Sequence, residues 1–468
     1  MSQDEFIYLL MLIISMPLGY VVQQIKIPNQ KRWICFGAGI SMVAIVCGQN
    51  IIHSLITTFV SSLIIKFSSK RSCPTLSFLF VFGYLTFFRT THYFGLPPPT
   101  SFSNVVQLLL TLRMVGLAFE IQDSWKAKEK IAKSKTEEID NRTLMAVIDE
   151  APGIIDVFMY AYCYIGILTG PYYKYKVYRD MIKQTCDIPT LKPAFNRLKY
   201  IVPFGGAYLL LSQYFYINYI REDEFYDNPF WYRYLFMFPV FIVFRLRMFS
   251  AWVLSEVVCI FAGLGAYPTQ TNPKCAQGPT KPLPQDSEIL STDYNFETIH
   301  NIDGYMCDTV STLRDAMRYW NMTVQWWLKN YIYVRCPIKP LRTSITLFVS
   351  AIWHGVHPGY FLSFLTIPIM LLAEDLMIQA FRTEGNSWIY RKLNWFVRSR
   401  GLDYLAMGFL LLSWKDTIRF WSSVYFIPHI FSVLFIIIGL VFKPKQKKLK
   451  DEKDNIKQVS QSIGKKTD

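Results

Sequence analysis

Charge is scarce in this 468-residue sequence. Asp, Glu, Lys and Arg make up 18% of it, against about 25% in an ordinary soluble domain. The shortage is concentrated. The stretches 6–25, 33–65, 72–88, 90–112, 157–173, 200–220 and 343–373 contain none of the four. Runs of that length exclude a soluble protein and a disordered one, because they need an apolar environment along their whole length. Paired cysteine motifs are missing too. The nine cysteines stand at 35, 47, 73, 163, 186, 259, 275, 307 and 336 with no CxxC, which excludes a disulfide framework and a zinc site of recognisable spacing. There is no GxxxxGK[ST], no GxGxxG after a strand, no GxSxG and no HExxH. A P-loop, a dinucleotide fold, a serine nucleophile elbow and a zincin are therefore unsupported. No internal repeat is visible, so an inverted-repeat transporter gains nothing either.

What is present is apolar and aromatic: 52% hydrophobic residues, 16% Phe, Trp and Tyr, and a mean hydropathy of +0.21. A helix that spans lipid needs about 20 mostly apolar residues. The runs above, with 234–244, 248–268, 404–414 and 420–442, predict an all-α polytopic membrane protein of roughly ten to twelve membrane segments, some short or re-entrant. The run 33–65 is long enough for two short spans with a turn near 48–50. The stretch 6–25 follows Asp4 and Glu5 rather than positive charge, and so reads as a retained first helix, not a signal peptide. Residues 1–442 form one domain, most specific over 160–440, and 443–468 form a tail.

Most of the net charge of +15 lies in three hydrophilic places: 125–142 (WKAKEKIAKSKTEEIDNR), 173–199, and the tail, with nine lysines against four acids. The positive-inside rule puts all three in the cytosol. The surplus thus points to loops or an anionic ligand rather than to nucleic acid. Lys465 and Lys466 stand at positions −4 and −3 from the end, a spacing that resembles a dilysine retrieval signal of the endoplasmic reticulum.

Four constellations carry chemistry. The first is WHGVHPG at 353–359. An imidazole inside an uncharged run is a functional hypothesis by default, and histidine moves protons near neutral pH. The competing reading of His354 is a core histidine bonded to a backbone carbonyl. His357, three residues on, would share its helical face. The second is RDAMRYWNMTVQWWLKNYIYVR at 314–335. Met317, Trp320, Val324, Trp327, Leu328 and Tyr331 recur at helical spacing, which predicts an amphipathic interfacial helix with Asn321 near its middle. The third is GPYYKYKVYR at 170–179, where Gly-Pro ends a span and Lys174, Lys176 and Arg179 alternate with tyrosines. That pattern suits either a phosphate-bearing ligand or an interface belt. The fourth is 244–268, with Arg245, Arg247 and Glu256. A carboxylate in a span needs a partner, and Arg245 or Arg247 would serve. Arginines placed so either snorkel or meet an anionic headgroup.

These stretches resemble the membrane-bound O-acyltransferase family, and within it the branch of lysophosphatidylinositol acyltransferases. The resemblance rests on RDAMRYWNMTVQWWLKNYIY, AIWHGVHPGYFLSFLTIP, FRLRMFSAWVLSEVVCIFAGLGAYP and GPYYKYKVYRD. It implies an endoplasmic-reticulum enzyme whose helices surround a tunnel. An acyl-CoA enters from the cytosol and a lysophospholipid from the bilayer, and polyunsaturated chains such as arachidonoyl are preferred. By motif, His354 is the general base and Asn321 its partner. Trp320, Trp353, His357, Arg245 and Arg247 are candidate substrate contacts, and Lys174, Lys176 and Arg179 candidate contacts for CoA phosphates. Thiolate leaves readily, so no cofactor or metal is expected. Other lysophospholipid headgroups (serine, choline, ethanolamine) remain the alternative, and a lipid transporter with His354 as a proton relay is the reading from another class.

Overall fold

The computed structural model describes residues 3–134, 139–282 and 293–442. The tail with Lys465 and Lys466 lies outside them. The described chain is helical almost throughout; its named strands are the antiparallel pair Tyr267–Pro268 and Tyr294–Asn295. Five stretches are long and apolar enough to cross a membrane: Glu5–Gln24, Pro28–Phe67, Ser101–Lys133, Phe230–Phe261 and Pro358–Phe381. The pair Trp414–Ser423 and Ile427–Phe442, bent by 69°, makes six if counted as one span. The remaining apolar runs fold as shorter pieces such as Cys73–Arg89, Ile201–Leu211 and Arg342–His354. The ten to twelve expected segments thus divide into full-length spans and short helices. The turn expected near 48–50 is a 3₁₀ turn between Pro28–Cys47 and Ile51–Phe67.

Several expectations need correction. The segment 125–142 is not all loop, because Ser101–Lys133 continues through its first nine residues. Lys, Ala and Glu are good helix formers, so the end of hydrophobicity is not the end of the helix. The run 157–173 is not a span. Its helix stops at Ala161, and the following chain is irregular and buried, with Tyr162, Tyr164, Tyr172 and Tyr173 at most 2% exposed. The runs 234–244 and 248–268 are not separate, since Phe230–Phe261 is one helix carrying Arg245 and Arg247 in its middle.

Ser101–Lys133 organises the rest. Of the full-length spans it is the most enclosed, whereas the others keep large apolar side chains on outward faces, as lipid permits. The described residues pack into three hydrophobic clusters, the first of them around this helix. The first joins the N-terminal helices to the 160–182 segment and to Val324, Trp327, Val349 and Trp353. The second gathers the C-terminal helices. The third is Phe249, Trp252, Val253 and Ile302, with Trp320 against it. Residues 320–327 contribute to the first and third and residues 347–353 to the first and second, so the two expected site motifs lie where the clusters join.

Candidate active site

His354 is the last residue of the helix Arg342–His354. Gly355 is extended, at φ 172° and ψ 179°, and the chain re-enters a helix at Pro358. His354 and His357 therefore do not share a helical face; the break separates them, and His357 is exposed. A Cβ on Gly359 would stand 2.2 Å from the Gly408 carbonyl oxygen, so backbone meets backbone directly after the histidine. The imidazole packs among Phe364 and Phe409 (5.1 Å between ring centroids in each case), Tyr360 (5.9 Å) and Trp353 (4.8 Å). Among the described residues nothing hydrogen-bonds either ring nitrogen. A structural core histidine would be satisfied; this one is held by rings and left with its polar atoms open.

Asn321 is equally unusual. The expected single helix over 314–335 is broken at this residue, which adopts the left-handed conformation (φ 43°, ψ 58°) between Leu313–Tyr319 and Met322–Trp327. Asn tolerates that region better than most residues. Its carbonyl accepts from Gln325 N at 3.0 Å, but its side-chain amide has no partner among the described residues. Rather than lying at an interface, Trp327 and Tyr331 are buried.

Asn301 holds the turn. Its carbonyl accepts from Met322 N (2.7 Å), and its Oδ1 accepts from Thr323 N (3.2 Å) and Thr323 Oγ1 (2.6 Å). Asn301 in turn is held by Glu256, whose Oε1 accepts from the N–H groups of Asn301 (2.7 Å) and Ile302 (3.1 Å). The ionic partner of Glu256 is Arg197, not Arg245 or Arg247. Those two pair with Asp308 and Glu5 instead, because they lie two to three turns away along the same helix. Trp320 packs on Phe244, Phe249 and Trp252, Phe244 meets Phe409, and Phe409 meets His354. One aromatic wall thus runs from the Asn321 turn to the imidazole.

Both motifs are tied to one face of Ser101–Lys133. Trp353 Nε1 donates to the Leu108 carbonyl and Trp327 Nε1 to the Leu112 carbonyl, each at 3.1 Å. These carbonyls are one helical turn apart.

The three proposed phosphate contacts differ in their surroundings. Lys174 has its ammonium 5.8 Å from the centroid of Trp326, on the helix that starts at Asn321. Tyr172 N donates to Thr323 Oγ1 nearby. Lys176 instead donates to the carbonyls of Met145 (2.9 Å) and Val147 (3.3 Å), and burial pushes its ammonium below the ordinary lysine value. Arg179 lies 3.5 Å from Asp149. An open apolar hollow of about 440 Å³ on the flank of the His354 loop is lined by Val356, Pro358, Phe361, Leu362, Leu365 and Trp414. Among the described residues no three His, Cys, Asp or Glu side chains converge as a metal site.

Residues 52–412 match the model of MBOAT, the membrane-bound O-acyltransferase family. The chain belongs to that family. Both Asn321 and His354 fall inside the match, and with membership the catalytic class follows: this is a multi-pass membrane O-acyltransferase. Similar proteins cover nearly its full length. The membrane-bound acylglycerophosphatidylinositol O-acyltransferase of Xenopus laevis is 41% identical over 98% of this chain and 99% of its own. The protein of the same description from Homo sapiens is 40% identical over 94% of each chain. That of Drosophila melanogaster is 32% identical over 96% of this chain and 94% of its own. Asn301, Thr323 and Arg197 were missed from sequence, since none stands out by spacing. They bear on the site by holding the Asn321 turn and its support from Glu256.

Proposed function

We propose that this enzyme transfers an acyl chain from acyl-CoA to the free sn-2 hydroxyl of lysophosphatidylinositol. The description shared by the relatives supports the lipid class. The observation that carries the site is the pair of unengaged polar heads, His354 and Asn321, each at a break in a helix and joined by one aromatic wall.

In this reading His354, as the neutral imidazole, takes the hydroxyl proton while the oxygen attacks the thioester carbonyl. General-base assistance of this kind contributes about 10²–10⁴-fold. Asn321 donates to the oxyanion; removing one such donor typically lowers kcat by about 10²–10³. The carbon–sulfur bond breaks, CoA leaves as thiolate, and the imidazolium returns a proton to it. Lys174, beside the Asn321 helix, meets a CoA phosphate. The apolar helices wall a tunnel for the acyl chain, and polyunsaturated chains are preferred. The enzyme resides in the endoplasmic reticulum with its C-terminal tail in the cytosol.

The test is a competition assay. Purified protein is offered a mixture of lysophospholipids and acyl-CoAs, and products are identified by mass. Phosphatidylinositol carrying a polyunsaturated sn-2 chain should dominate, and His354→Ala should abolish it. Asn321→Gly keeps the left-handed backbone accessible and removes only the amide, so it should lower kcat about 10²-fold in a folded protein. A different preferred headgroup would move the substrate assignment to serine, choline or ethanolamine lipids. An active His354→Ala protein would remove the base.

A further inference from the structure

We propose that Arg89 is a positioning residue for His354, fixing the end of the helix that presents the imidazole. The inference rests on His354 being the base. Arg89 ends the helix Cys73–Arg89, and it is the only Asp, Glu, Lys or Arg between 72 and 112. Its guanidinium has no carboxylate partner among the described ion pairs. Instead, Nη1 donates to the Ile352 carbonyl and Nη2 to the Trp353 carbonyl, each at 2.7 Å. Nε donates to Asn104 Oδ1 at 2.8 Å.

Those two carbonyls belong to the residues immediately before His354. The chain leaves the helix at Gly355, so the last carbonyls of Arg342–His354 lack helical donors. They also carry the negative end of the helix dipole, where a cation is favoured. A planar fork can satisfy two adjacent carbonyls at once with fixed geometry, whereas an ammonium is a point donor. The third bond sets the plane of the fork, because Asn104 projects from the rigid Ser101–Lys133 helix one turn before Leu108, the acceptor of Trp353. The peptide bearing His354 is thus tied twice to that helix: by the Trp353 indole, and through Arg89 to Asn104.

Misplacement of a reacting group by about 1 Å can cost about 10²-fold in rate. Arg89→Gln, Arg89→Lys and Asn104→Ala are compared with wild type and His354→Ala as full-length purified proteins, with kcat, KM for both substrates and melting temperature measured for each. The expected result for Arg89→Gln is a kcat loss of about 10²-fold with both KM values within about threefold. Arg89→Lys should recover part of that loss, and Asn104→Ala should lower kcat less than Arg89→Gln. A purely structural role would instead lower melting temperature and yield while kcat per folded molecule stays at wild type. That outcome overturns the proposal, as does wild-type kcat in Arg89→Gln. If Arg89→Gln gives no folded protein, wild-type kcat in both Arg89→Lys and Asn104→Ala overturns it. Activity in His354→Ala would defeat the reading of the base itself, a failure distinct from that of Arg89.

Discussion

Replacing Glu256 tests whether a carboxylate far from the reacting atoms sets the Asn321 turn. Its side chain is 1% exposed, against 23% for Arg197. Glu256→Ala removes the acceptor of two backbone N–H groups and the counter-ion of Arg197. Breaking a buried pair costs about 3–5 kcal/mol, and each buried donor left unmade about 1–3 kcal/mol. Arg197 is partly solvated and keeps its bond to the Ile302 carbonyl at 2.7 Å, so the lower half of the combined range applies. A loss of about 5 kcal/mol is expected, the bottom of that range. Glu256→Gln keeps one acceptor oxygen for Asn301 and Ile302 but turns an uncharged head to Arg197, so about 2 kcal/mol is expected. Unfolding in mixed micelles gives the stability, and single-turnover acyl transfer gives the rate. Because Asn301 holds Met322 and Thr323, Glu256→Gln should also lower the single-turnover rate in protein that remains folded. The double variant Glu256→Gln/Arg197→Gln should recover part of the stability. If Glu256→Ala melts with wild type and the two sites show no coupling, the chain of support from Glu256 to Asn321 is wrong.

Other perturbations follow from the same contacts. Gly359→Ala should abolish folding or activity, because its Cβ would meet backbone atoms of Gly408 and Leu412 at 2.2–2.9 Å; wild-type expression and rate would refute that packing. Lys174→Ala should raise KM for acyl-CoA several-fold, the more so at low salt. Lys176→Ala should instead lower melting temperature with KM unchanged, since its ammonium holds the Met145 and Val147 carbonyls. An equal rise in KM for both variants would contradict this division. Trp353→Phe retains a ring but loses the bond to Leu108. It should lower kcat about tenfold, by an argument from position rather than burial, and an unchanged kcat would show that the indole N–H is dispensable.

The all-helical fold was legible because apolar runs are local signals, and His354 drew notice for the same reason, as a lone imidazole within one of them. Asn321 was not. Met317, Trp320, Val324 and Trp327 keep helical spacing across the break, and Asn accommodates the left-handed turn without glycine, so the sequence reads as one helix. Glu256 was correctly expected to have a partner, but proximity in sequence pointed to Arg245 and Arg247. The real partner, Arg197, is 59 residues away. Arg89 was overlooked although it splits two uncharged runs. The signal that singled out His354, an isolated ionisable residue at membrane depth, applied to it equally. The lengths of the membrane segments were misjudged where helices continue past the apolar run, as through 125–133, or stop inside it, as at Ala161.

Six charged side chains within the bundle follow a rule of sign. Presenting Asn321 and His354 requires helices that break within the bundle, and each break strands backbone groups that lipid cannot satisfy. Where carbonyls are stranded, an arginine meets them. Arg89 serves Ile352 and Trp353. Arg113 serves Tyr160, Ala161, Cys163 and Ile165, and Arg398 serves Cys307 and Asp308. Where amides are stranded, a glutamate meets them: Glu120 at Tyr175 and Lys176, Glu256 at Asn301 and Ile302, and Glu374 at Leu313. Cations at carbonyl ends and anions at amide ends are the arrangement that helix termini favour. Three of these six ions sit at breaks next to the site: Arg89 before His354, Glu374 at the start of the helix that precedes Asn321, and Glu256 at the loop that holds the Asn321 turn. These six ions are thus committed to backbone, whereas the side-chain heads of His354 and Asn321 have no hydrogen-bond partner among the described residues.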